Sequence, residues 1–99
     1  MTPKKVAEEI QIVLESYLEG TITGEMMVAY CNNIIARDDF PGESDGKIVA
    51  ALNDFQLDIS MYEKNPDWRK GYDCYYGEDE LEAKVREFAV KLRELSAAA

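Results

Sequence analysis

Ile48-Val-Ala-Ala-Leu52-Asn-Asp54-Phe55-Gln-Leu57-Asp58-Ile59-Ser-Met61-Tyr62 is the stretch that decides the fold. Ile48, Leu52, Phe55, Ile59 and Tyr62 recur at steps of four and three, the spacing of an amphipathic helix with one buried stripe. At about 100° per residue, Asp54 and Asp58 fall on one flank of that stripe, while Leu57 and Met61 project farther round towards solvent. Asp45 is placed to cap this helix, and Asn65-Pro66 interrupts it.

Three further segments carry the same periodicity. Thr2-Pro3 reads as a cap followed by a proline at the first helical position, and Val6, Ile10, Val13, Leu14, Tyr17 and Leu18 form one apolar face. Gly20 suits a left-handed end to that helix. Thr23 caps the next, with Ile22 and Met27 spaced as a hydrophobic staple and Met27, Tyr30, Cys31, Ile34 and Ile35 as the buried stripe. Arg37 to Ser44, with Pro41-Gly42 inside it, is a loop. The last helix is expected from Asp79, with Glu82 three residues on, and its seam is Leu81, Val85, Phe88, Leu92 and Leu95. Lys91 and Arg93 are expected near its C-terminal end, and Ser96 to Ala99 is expected to fray. No segment alternates at period two. The expectation is an all-α chain, one domain over residues 1–99, folded as an antiparallel four-helix bundle.

Composition narrows the function. The 99 residues carry 20 Asp and Glu against 11 Lys and Arg, a net charge of −9, which disfavours direct contact with nucleic acid or an anionic membrane and suits a basic partner. Plain solubility accounts for the same charge, and charge alone favours that reading. The N-terminal residues lack a continuous apolar core after Lys4-Lys5, so no signal peptide is expected, and no apolar run reaches membrane length; the expected location is the cytoplasm. Cys31 and Cys74 are too far apart for a zinc spacing or a disulfide framework.

Catalysis has little to work with. Histidine is absent, which removes the commonest general base and metal ligand. No phosphate loop or nucleophile elbow occurs, and Phe40 and Pro41 stand where a calcium loop between Asp38 and Gly46 would need oxygen ligands. The expectation is a non-enzymatic protein without metal or cofactor.

What remains is a loop, expected to be irregular, from Asn65 to Gly77. It holds the single tryptophan, Trp68, and Tyr72, Tyr75 and Tyr76, with Asp67 and Asp73 among them. Trp and Tyr dominate binding hot spots, although rings in such a place also serve to cap a small core. The candidate partner-binding residues are Asp54, Asp58, Met61, Glu63, Asp67, Trp68, Tyr72 and Asp73, the acids supplying potential and Met61, Trp68 and Tyr72 the anchors. The alternative is that the loop folds back over Leu57 and Met61.

Tyr17-Leu18-Glu19-Gly20-Thr21-Ile22-Thr23, the helix-three stripe running into Pro66-Asp67 and Tyr72-Asp73, and Leu81 with Val85 together resemble the colicin D-type immunity proteins of bacteria, over about Leu14 to Leu95. That resemblance implies a helical bundle, monomeric when free, that binds the basic nuclease domain of a cognate toxin. The toxin of that family cleaves transfer RNA, and the immunity protein covers its RNA-binding cleft. By matching position, Glu63 and Asp67 would stand in for phosphates, with Asp58 and Asp73 beside them. Two other classes fit the same charge: an acidic antitoxin or nucleic-acid mimic of another family, and a self-associating scaffold built on Leu57, Met61 and the tyrosines.

Overall fold

The computed structural model describes residues 2–42, 46–71 and 74–98. Among these residues five helices follow in order: α1 (Pro3–Leu18), α2 (Gly24–Ile35), α3 (Lys47–Ile59), α4 (Pro66–Arg69) and α5 (Glu78–Ala98). Among the described residues there is no strand, so the protein is all-α; an isolated parallel bridge joins Tyr62 and Tyr76.

Local chemistry fixes the helix ends. Thr2 Oγ1 accepts from Lys5 N (3.2 Å) with Pro3 at the first position of α1, and Thr23 Oγ1 accepts from Met26 N (3.2 Å) at the start of α2. At the end of α1, Gly20 takes φ +82°, Gly20 N–H donates to Tyr17 O (3.0 Å) and Thr21 N–H to Ser16 O (2.9 Å). This pair of bonds satisfies carbonyls the helix would otherwise leave open and turns the chain into α2. Asp45, the expected cap of α3, lies outside the described residues; the residue at the cap position is Gly46, with φ +104°.

The core is the set of stripes that periodicity predicts. Ile10, Leu14, Met27, Leu52, Ile59, Leu81, Val85 and Leu92 are fully buried, and Phe55 stacks on Phe88 with centroids 4.0 Å apart and planes 5° from parallel. α1 packs against α2 and α5, and α3 packs against α2 and α5. Cys31 lies in this core, where burial pushes its thiol up to about 12.

Four expectations need correction. Tyr30 is 44% exposed because α2 turns it off the buried face that Met27, Cys31 and Ile35 share. The 65–77 segment is not wholly irregular: Asn65 Oδ1 accepts from Asp67 N (2.9 Å) and Pro66 occupies the first position of α4, so the residues that break α3 also start a turn of helix. The last helix begins at Glu78, one residue earlier than expected, and Glu82 pairs with Arg86 Nη2 (3.1 Å) instead of closing a capping box. It also continues through Ala98, as alanine's high helix propensity favours, so Lys91 and Arg93 fall short of the last turn.

One carboxylate gathers four helix ends. Glu78, at the start of α5, accepts the Tyr17 hydroxyl from the end of α1 through Oε1 and the Tyr62 hydroxyl from just beyond α3 through Oε2, both at 2.8 Å. The same carboxylate lies against Gly24 at the start of α2, where an added Cβ would stand 3.0 and 3.3 Å from its two oxygens.

Candidate partner-binding face

The segment after α3 is closed at its neck. Glu63 N–H donates to Tyr76 O (2.9 Å), Tyr76 N–H donates to Met61 O (3.0 Å), and the Tyr76 hydroxyl donates to Asp58 O (2.8 Å). Tyr76 is 5% exposed, and the Lys84 ammonium stands 5.3 Å from its ring centroid. Burial, then the carboxylates of Asp58 and Glu80, hold its phenol well above the ordinary tyrosine value. This ring belongs to the core and acts as the plug of the neck.

Beyond the neck, α4 is open to water on most of its surface. Trp68 is 66% exposed, and no residue of α4 is buried. Asp67 beside it is exposed and its carboxylate meets Lys70 Nζ, at 3.4 Å across the same turn. Leu57 is 70% exposed and Met61 is also exposed, so the segment does not fold back over them. Tyr72 and Asp73 lie outside the described residues.

The other acids separate onto two different grooves. Asp54 and Asp58 line a groove of about 270 Å³ between α3 and α5, shared with Lys84, Glu87 and Lys91 above the Phe55–Phe88 stack. Asp58 Oδ1 is 3.2 Å from Lys84 Nζ. Glu63 lines a different groove, of about 340 Å³, beside Glu25, Val28 and Asn32 of α2, and its Oε1 accepts from Asn65 N (3.0 Å). Lys64 Nζ spans to Glu25 Oε1 at 3.5 Å along that edge. Lysines of α5 thus offset the α3 carboxylates, while Asp67 sits with the indole on the projecting turn.

Sequence reasoning missed Lys84 and Glu78 as parts of the site. A helical wheel would have found Lys84, which is next to Val85 and one turn before Phe88 on the flank of the α5 seam. Glu78 carried no signal, because it reads as one acid of an ordinary acidic helix start. Its two phenols are held above their usual value, Tyr17 well above it and Tyr62 up to about 12, in each case by burial first and then by the Glu78 hydrogen bond.

Among the described residues, no group of three or more Cys, Asp or Glu side chains is arranged to hold a metal ion, and no helix is long and apolar enough to cross a membrane. The chain matches no family model, no curated protein and no solved structure.

Proposed function

We propose that this protein is a cytoplasmic, non-catalytic immunity protein that binds and inhibits a toxin nuclease, a transfer-RNA-cleaving ribonuclease of the kind met by the colicin D-type family. The observation that carries the reading is Trp68, left 66% exposed beside Asp67 on a turn whose neck is closed by three hydrogen bonds. A small domain with a complete core gains nothing by holding an indole in water. An aromatic anchor beside an exposed carboxylate has the composition of a hot spot for a basic surface. In this reading Asp67 occupies a phosphate position in the cleft, Trp68 fills an adjoining apolar pocket, and Met61 and Glu63 border the contact. The net charge of −9 speeds the encounter.

The architecture proposed for this task is an antiparallel four-helix bundle of α1, α2, α3 and α5. It is supported by the meeting of the ends of α1 and α3 with the starts of α2 and α5 around Glu78. A second reading, self-association, is favoured by Leu57, the most exposed large apolar side chain of the helices. Sedimentation that gives one concentration-independent monomer mass removes it.

The test is affinity capture from the source cells with immobilised wild-type protein and with Trp68→Ala, followed by mass spectrometry and an RNA-cleavage assay on the captured material. Wild type is expected to retain a basic nuclease and silence it. Trp68→Ala is expected to bind at least about thirtyfold more weakly, the scale of a hot-spot tryptophan, with an unchanged melting temperature. Recovery of no nuclease, or equal capture by both proteins, refutes the proposal.

A further inference from the structure

A single turn of helix has no stability of its own, because nucleation fixes several residues for one hydrogen bond. α4 is such a turn, four residues long and with none of them buried, so something outside it must hold it in place. The Asn65 cap closes its first turn but does not orient it on the body of the protein.

Arg69 is the exception within α4. Pro66, Asp67 and Trp68 are exposed, whereas Arg69 is half-buried. Its guanidinium points at Gly77, the residue before α5, through Nη1: a Cβ built on Gly77 would collide with Arg69 Nη1 and stand 2.9 Å from Cζ and 3.4 Å from Nη2. Gly77 is not among the glycines with positive φ, so the backbone there does not itself demand glycine. The missing side chain serves the arginine instead. Arg69 and Gly77 line a shallow hollow together with Glu78, Asp79 and Glu80, so the cation lies in acidic surroundings.

We propose that Arg69 is a positioning residue for the contact turn: seated on the bare Cα of Gly77, it fixes α4 to the start of α5 so that Asp67 and Trp68 meet the partner already ordered. This rests on the immunity reading for the identity of the partner, but the ordering of Trp68 is a property of the free protein. An unseated turn would have to be ordered at the moment of contact. Ordering a few rotamer-rich side chains weakens binding by about tenfold.

The chain has a single tryptophan, so its fluorescence reports on Trp68 alone. Two variants unseat Arg69 from opposite sides. Arg69→Ala removes the guanidinium. Gly77→Ser adds the obstructing Cβ while keeping a good cap at the residue whose carbonyl accepts from Leu81 N (3.1 Å). In time-resolved anisotropy of the free proteins, the subnanosecond component of Trp68 is expected to grow about twofold in both variants, since an untethered side chain reorients on that timescale. Melting temperatures are expected to stay at the wild-type value, which separates a loosened turn from a damaged fold. An unchanged anisotropy decay in either variant overturns the proposal. Where wild type captures a nuclease, both variants are expected to bind it about tenfold more weakly; equal affinity also overturns the positioning role. Failure to capture any nuclease removes the immunity reading and leaves the anisotropy result to decide the seat.

Discussion

Replacing Glu78 with alanine tests whether one carboxylate holds the end of the bundle together. The substitution removes two hydrogen bonds of 2.8 Å, from Tyr17 and Tyr62. A hydrogen bond to a charged acceptor is worth about 1.5–3 kcal/mol when partly buried. The Tyr17 bond qualifies, because Tyr17 belongs to the core and its hydroxyl loses its partner outright. The Tyr62 bond is exposed, water replaces much of it, and its share falls to about 0.5 kcal/mol. Losing a charge beside Asp79 and Glu80 relieves a few tenths of a kcal/mol of repulsion, which about cancels the lost favour of an acid in the first helical turn. The sum is a destabilisation of about 2–3.5 kcal/mol, and at least about 8 °C in melting temperature for a domain of this size. Glu78→Gln keeps the shape without the charge and should lose about half as much. Urea titration at neutral pH with a common m-value is the assay. A double-mutant cycle with Tyr17→Phe should show coupling of about 1 kcal/mol. A loss below about 0.5 kcal/mol for Glu78→Ala, or strict additivity with Tyr17→Phe, would refute the reasoning.

Two other outcomes follow from the same end of the molecule. Gly24→Ala places a Cβ 2.8 Å from Leu81 Cδ2 and 3.0 Å from Glu78 Oε2; overpacking of about 1–3 kcal/mol exceeds the gain in helix propensity of at most about 1 kcal/mol, so thermal melting should show a less stable protein, and a stabilised variant contradicts the packing. Stability against pH should be flat through neutrality and fall in alkali: the folded values of Cys31, Tyr17, Tyr62 and Tyr76 all lie above their unfolded ones, so their contribution is complete below the unfolded values of 9.0 and 10.0 and is lost as pH rises through the folded ones, about 12 for Cys31 and Tyr62. Urea midpoints from pH 8 to 12 measure this, and Tyr62→Phe should flatten the fall; an unchanged slope in that variant removes Tyr62 from the account.

The helices were legible because their information is local. Thr2, Thr23 and Gly20 sit where cap chemistry requires them, and steps of three and four name nearly every fully buried residue. Tyr30 misled because a large aromatic at a stripe edge has both an apolar body and a polar tip, and its side of the stripe depends on how α2 is rotated against its neighbours. Asn65-Pro66 was read only as an end to α3, although Thr2-Pro3 shows the same chemistry beginning a helix. The site was less legible for a different reason. Asp58 with Lys84, Glu78 with Tyr17, and Arg69 on Gly77 are meetings between residues far apart in the chain or across a loop, and no periodicity encodes them. The rings illustrate the limit: Tyr76 and Trp68 stand eight residues apart in one polar segment, yet the first plugs the neck and the second is left in water.

The acids divide by how firmly their lysines are held. Asp58 and Lys84 are each somewhat more than half screened from water, and Lys84 also rests over the Tyr76 ring, so this pair is held on two sides. Asp67 and Lys70 are each about four-fifths exposed, and a pair in that setting contributes between zero and about 1 kcal/mol. Lys70 therefore moves aside at almost no cost, and Asp67 remains available to an incoming cation. In the proposed complex, field and contact thus arise from different residues. The carboxylates of α3 and α5 contribute at a distance to an encounter that salt would slow, while the short-range contact falls to the turn that Arg69 seats on the start of α5.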